Sequence, residues 1–220
     1  MAFARLVELA FIGCAAFGVY GFVTAAKDGE TRRSCASLCA LQPAYAASNR
    51  LAPDFELPSI NGGKVRLSSY RGKVVILNFW TKNCRPCLEE MPSIADLAKA
   101  LKAHPNVALV TITIDEDAKD ARDTLKSVLG GGDPPFEVLI DSESSVVREK
   151  YGTKLFPETW FIDQKGVIRA RFDVSRSWAS PMVIDLAQSL SNPIQCSVAF
   201  DSGKAHGPMA SLCGETPESI

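Results

Sequence analysis

The motif Cys84-Arg85-Pro86-Cys87 stands between a run of strand character and a run of helical character, and this placement constrains the chain more than any other feature. Val74 to Trp80 has the length and apolarity of a strand buried on both faces. From Leu88 to Leu101, apolar Met91, Ile94, Ala95, Leu97, Ala98 and Leu101 recur with helical spacing. A thiol at that junction lies at a helix N-terminus, where unpaired backbone N–H groups and the macrodipole favour the thiolate. Cys84 is therefore the expected attacking nucleophile. Cys87, one turn later and more enclosed, can close a disulfide with Cys84 and release a mixed-disulfide partner, which is the resolving role. Arg85 adds positive charge that depresses the Cys84 pKa, while Pro86 restricts the loop and removes one donor. A structural disulfide is the plainer alternative for this pair. A zinc site would need a second ligand pair, and neither another C-x-x-C nor a histidine cluster supplies one. His104 and His206 lie far apart, so no metal and no cofactor is expected.

Strand and helix patterns alternate around the motif. A strand at Val107 to Ile114 leads to a helical stretch at Ala118 to Leu129, which stops at Gly130-Gly131-Gly132. A short strand, Glu137 to Ile140, and a helix, Glu143 to Tyr151, follow. Glu158 to Ile162 and Val167 to Phe172 read as two strands joined by the hairpin loop Asp163-Gln164-Lys165-Gly166. An amphipathic helix from Pro181 to Leu190 closes the series. This order predicts an α/β fold with a central mixed sheet covered by helices on both faces.

With 220 residues, 46% of them hydrophobic, the chain suits one globular domain with extra sequence at its ends. Lys+Arg (24) and Asp+Glu (25) nearly cancel, so no basic field points to nucleic acid. Seven cysteines favour an oxidising compartment. Residues 1–26 read as a membrane anchor or signal segment. From Leu6 to Ala26 the sequence is apolar apart from Glu8, and such a helix reaches about 30 Å, the thickness of a bilayer core. An uncleaved anchor with Arg5 on the cytoplasmic side is preferred. Cleavage after Ala44-Tyr45-Ala46, or lipoprotein processing at Cys14, are alternatives, and all three export the rest. Residues 27–50 read as a linker, 51–191 as the folded domain and 192–220 as a tail. Cys196 and Cys213 could staple that tail with a disulfide or form a second redox relay, while Cys35 and Cys39 could pair locally or stay free.

Three segments carry a resemblance. Trp80-Thr81-Lys82-Asn83-Cys84-Arg85-Pro86-Cys87 with Glu89-Glu90-Met91-Pro92 resembles the active site of the TlpA/ResA/CcmG-like thioredoxins, a membrane-tethered extracytoplasmic family. Ala52-Pro53-Asp54-Phe55-Glu56-Leu57-Pro58, Gly63-Lys64-Val65-Arg66-Leu67 and Arg71-Gly72-Lys73-Val74-Val75 are similar to its N-terminal hairpin and first core strand. Phe156-Pro157-Glu158-Thr159-Trp160-Phe161-Ile162-Asp163 resembles its second motif. The resemblance implies a thioredoxin-like fold with an N-terminal β-hairpin and a central insert, Asp115 to Glu149, whose exposed face selects the partner. It implies a cis Phe156–Pro157 bond facing the Cys84 sulfur, with the Phe156 backbone pairing to an incoming extended peptide. Trp80, Arg85, Pro86 and Phe156 are then the substrate contacts, and Pro92 kinks the first helix. Asn78 stands where thioredoxins place a buried acid, and Glu90 is the family's replacement, managing the Cys87 proton with its own pKa raised by partial burial.

The resulting expectation is a reductase of protein disulfides, of the kind used in cytochrome c maturation, recharged by a membrane electron donor. Two other classes compete. Thr81-x-x-Cys84 faintly matches the nucleophile turn of thiol peroxidases, although Leu77 replaces the proline that precedes that turn. A non-catalytic binding domain would have lost a motif residue, whereas Cys84, Cys87, Trp80 and Pro157 are all present.

Overall fold

The computed structural model describes residues 2–41, 50–191, 198–201, 204–207 and 210–213, with side chains in the first helix at 12–29, 31, 32, 35 and 39. Helix α1 (Ala2–Leu41) precedes a hairpin of β1 (Glu56–Pro58) and β2 (Lys64–Arg66). The hairpin turns through Gly62 and Gly63, whose φ values of 93° and 75° favour glycine. Next come β3 (Val74–Trp80), α2 (Arg85–Ala100), β4 (Val107–Thr113), α3 (Ala118–Val128) and β5 (Glu137–Ile140). The domain ends with β6 (Glu158–Ile162), β7 (Ile168–Phe172) and α4 (Pro181–Ser189), and the tail adds the small hairpin of β8 (Ala199–Asp201) and β9 (Lys204–His206).

The five-stranded sheet has the order β5-β4-β3-β6-β7. Its centre, β3, pairs in parallel with β4 and antiparallel with β6, so the sheet is mixed as the pattern predicted. All seven residues of β3 are buried, because its alternate side chains enter two different cores. Val74, Ile76 and Trp80 join Met91, Ile94 and Leu97 of α2, Leu186 of α4, and Phe161, Phe172 and Trp178. Val75, Leu77 and Phe79 meet Phe55 and Leu57 of the hairpin region, Val146, Tyr151 and Trp160 on the other face. That face carries no long α-helix among the described residues. The helix expected over 143–151 is a single π-helical segment, Ser145–Lys150, started by Ser144 at φ 56°. The buried Asp141 carboxylate holds it by accepting from the backbone N–H groups of Val146 (3.0 Å) and Val147 (2.8 Å).

Two expectations at the ends of the chain are corrected. Residues 27–41 continue α1 instead of forming a linker, and α1 packs against α4. The Ala- and Ser-rich stretch that reads as a tether also tolerates helix, and a helix puts Cys35 and Cys39, four residues apart, on one face. Both are buried there and both are disulfide-bonded. Cys213 is bound to Cys39, with a Cα–Cα distance of 4.9 Å, and so is not the partner of Cys196. Spacing within the tail could not reveal that α1 brings Cys39 to it. Cys196 itself lies outside the described residues. Cys14 is a free, exposed thiol. Among the described residues no helix is long and apolar enough to cross a membrane, and the expected anchor, 6–26, begins where side chains are not described.

The Cys39–Cys213 bond spans 174 residues and encloses the whole domain. Chain entropy assigns such a loop at most about 5 kcal/mol, with about 2–4 kcal/mol the usual yield. Non-reducing peptide mapping is expected to recover a Cys39–Cys213 linked peptide, and Cys39→Ser with Cys213→Ser is expected to lose stability in that range in urea unfolding. A Cys196–Cys213 peptide in its place would overturn the pairing.

Candidate active site

Cys84 ends the loop from β3 and acts as the N-cap of α2, in an extended conformation (φ −100°, ψ 97°), with Pro86 in the first turn. Its backbone N–H donates to the Thr81 carbonyl (3.0 Å), and its carbonyl accepts from Leu88 N–H (3.1 Å). Its sulfur accepts the Cys87 N–H at 3.2 Å, one of the four donors a helix start leaves without intrahelical partners. The helix begins at Arg85, three residues before the apolar repeat at Leu88, because the motif supplies the first turn. The two sulfurs are joined, with Cα atoms 5.2 Å apart. Cys84 is half-buried and Cys87 is 0% exposed, which gives the pair the asymmetry the sequence implied.

The loop before Cys84 is fixed by Asp115, just beyond the end of β4. Its carboxylate accepts from Thr81 Oγ1 (2.7 Å), the Lys82 N–H (2.9 Å) and Thr113 Oγ1 (2.6 Å). On the other side of β3, register pairs Phe79 with Glu158, so Pro157 sits at the sheet end where β3 delivers the cysteines. The Phe156–Pro157 bond is cis, as the resemblance implied. Pro157 is buried and Phe156 half-buried, and Phe156 packs against the same core as Cys84. Beside them Leu155 is 78% exposed.

One substrate-contact expectation changes. Trp80 is fully buried and its indole N–H donates to Thr111 Oγ1 (3.3 Å), so it is a core side chain and cannot touch a substrate. Its place as the last residue of a doubly buried strand accounts for this. Arg85 is exposed but its Nε donates to Glu89 Oε1 at 2.8 Å, an open i,i+4 pair of about 0.3–0.5 kcal/mol that directs part of its charge away from Cys84. Pro86 is exposed, and its carbonyl accepts from Ser175 Oγ (3.1 Å).

Glu90, one turn beyond Cys87 on α2, is only 3% exposed. Its Oε1 accepts from Asn78 Nδ2 (2.9 Å), and its Oε2 accepts from Trp178 Nε1 (3.0 Å) and the Arg176 N–H (3.3 Å). Burial pushes its pKa above the ordinary glutamate range, against the pull of those hydrogen bonds and the Arg176 charge. Burial likewise raises Glu158, against Thr153, Arg171 and Trp160. Pro92 cannot donate back along α2, and Ser93 uses this irregular turn: its hydroxyl donates to the Glu90 carbonyl (2.8 Å) and accepts the Trp178 N–H (3.0 Å).

Sequence reading missed Asp115, Thr159, Ser175, Arg176 and Trp178. The available signals were an acid closing the strand next to β3 and a tryptophan isolated in the polar stretch between β7 and α4.

A mixed sheet, a helix opening on paired sulfurs and a cis-proline at the same end of the sheet define a thioredoxin-like dithiol protein. The chain belongs to the AhpC/TSA family, matched over residues 49–171. Within it the resemblance to the ResA-like branch holds. The thioredoxin-like protein YneN of Bacillus subtilis is 34% identical over 118 residues, 54% of this chain and 66% of that protein. The thiol-disulfide oxidoreductase ResA of Bacillus subtilis is 32% identical over 117 residues, 53% of this chain and 62% of that protein. The chain thus spans less than two thirds of these relatives. A Chlorobium tepidum structure, provisionally named thiol:disulfide interchange protein DsbE, superposes with a TM-score of 0.56 at 28% identity, covering 64% of this chain and 96% of that one.

The raised Glu90 value fixes a sign. Over the window between the unfolded and folded values, the folded chain holds a proton that the unfolded chain has lost. Stability from this source is complete below the ordinary glutamate range and declines as pH rises through the raised value, by about 1.4 kcal/mol per unit of displacement. Urea unfolding across this range is expected to show that decline, with Glu90→Gln removing Glu90's share and leaving that of Glu158. An equal slope in the variant would show that Glu90 titrates alike in both states.

Proposed function

We propose that the chain is a thiol-disulfide oxidoreductase that reduces protein disulfides outside the cytoplasm, tethered through residues 6–26 and recharged by a membrane electron donor. The observation that carries this reading is the Cys84–Cys87 bond at the start of α2, with one sulfur half-open and the other sealed. In the reduced protein, the Cys84 thiolate attacks a substrate disulfide and expels one substrate thiolate. Cys87, losing its proton, then attacks the Cys84 sulfur, restores the Cys84–Cys87 bond and frees the second substrate thiol. The substrate gains two electrons, and the donor returns them to the pair. Phe156 offers its backbone to the bound peptide, and Pro86 borders the entry.

The names of the ResA relatives support the activity. Disulfides at Cys35 and Cys39 support an oxidising compartment. Exposed Ile12, Phe17, Val19, Tyr20 and Phe22 on α1 give a bilayer something to cover. A maturing cytochrome c, kept reduced for haem attachment, is the substrate class that the resemblance favours. The peroxidase reading gains nothing from Thr81, whose hydroxyl proton goes to Asp115.

In the native envelope, Cys87→Ala is expected to trap mixed disulfides through Cys84, and Cys84→Ser to trap none. A reduction potential near thioredoxin's, about −270 mV, fits a reductase, while one near about −120 mV would sink that direction. No trapped partner would return the chain to a binding role.

A further inference from the structure

The carboxylate of Glu90 is held unsymmetrically. Both groups on Oε2, the Trp178 indole N–H and the Arg176 backbone N–H, can only donate. A proton on Oε2 would point at one of them. The Trp178 indole cannot turn away: Trp178 is 1% exposed, its backbone N–H is tied to Ser93 Oγ, and its ring packs against Phe172 (5.7 Å) and Phe161 (6.2 Å).

Oε1 faces a different kind of group. Asn78 Nδ2 donates to Oε1 and also to Thr159 Oγ1, each at 2.9 Å, while Asn78 Oδ1 is buried and accepts nothing among the described residues. A half-turn of the amide exchanges Oδ1 and Nδ2 with almost no change of shape. Oδ1 then stands where it can accept from a protonated Oε1 and from the Thr159 hydroxyl. Two hydrogen bonds are made in either orientation, so the turn trades one buried orphan for another. The other elements packed here bring one fixed charge, Arg176, and the titratable Cys87 of α2 itself, while β3 and β6 present neutral Asn78 and Thr159.

We propose that Glu90 exchanges its proton at Oε1 alone, with the Asn78 amide turning to receive it and Trp178 acting as the positioning residue that keeps Oε2 unprotonated. The purpose rests on the dithiol reading above, because a carboxyl one turn from Cys87 would then pass its proton from the β3 side. The location of the proton is measurable whether or not the protein turns over substrate.

The test is an NMR titration of the isotope-labelled, reduced full chain. The Asn78 side-chain NH₂ signals are expected to move with the midpoint of the Glu90 carboxyl carbon, while the Trp178 indole N–H keeps its hydrogen-bonded shift throughout. Glu90→Gln, whose amide nitrogen stands in for the protonated oxygen, is expected to hold the Asn78 signals at their acid position at every pH. Trp178→Phe removes a donor to the charged form and is expected to raise the Glu90 midpoint by about one pH unit, tenfold in proton affinity. If that variant does not fold, the first two measurements decide alone. An indole signal that titrates with Glu90 beside a static Asn78 amide would put the proton on Oε2 and overturn the proposal, as would an Asn78 amide that ignores Glu90. An inactive protein with the expected titration removes the functional reading and leaves this one standing.

Discussion

A strand hydrogen-bonded on both edges and buried on both faces has nowhere to move, and β3 is such a strand. Its neighbours β4 and β6 fix it laterally, α2 and α4 cover one face, and the hairpin with the π-helical segment covers the other. Whatever β3 carries at its end is therefore placed to the precision of a packed core. It delivers Cys84 to the start of α2, and its register with β6 puts Pro157 at the same end. The alternation of β3 also turns Asn78 toward α2, where an apolar residue would leave the buried Glu90 short of a donor.

The buried polar cluster follows from that rigidity. Removing a carboxylate from water is costly, and Glu90 tolerates it because three N–H groups from two separate segments converge on it. The segment between β7 and α4 does two jobs at once. Through Arg176 and Trp178 it grips Glu90, and through Ser175 it holds the carbonyl of Pro86 between the two cysteines. One short segment thus touches both the loop between the sulfurs and the buried carboxyl.

Local patterns announced most of this domain. The strands at Val74–Trp80, Glu137–Ile140 and Glu158–Ile162 follow the sequence residue for residue, since apolar runs bounded by turns leave little choice. The Cys84–Cys87 bond, the cis-proline and the burial of Glu90 were legible because each belongs to a short contiguous motif. Trp178 and Arg176 were not, because they lie 86 or more positions from the Glu90 they bind, and Thr159 was not, because it lies 81 positions from the Asn78 amide it accepts from; both sets meet only once the chain has folded. Trp80 misled for a related reason: adjacency to the motif suggests contact with substrate, whereas strand periodicity sends its ring into the core. The pairing of Cys213 with Cys39 is the extreme case of a contact that neighbourhood in sequence conceals.

That sulfur bond also changes what kind of object the chain is. With Cys39 tied to Cys213, the path from the first helix to the final turn has a covalent short cut that bypasses the sheet. Tension applied between the two ends runs through sulfur and leaves β3 and its neighbours unloaded. A protease that cuts a loop of the domain produces two pieces that stay attached. The two ends of the chain are then a frame around the domain, and a cut or a pull is taken up by the frame before the sheet.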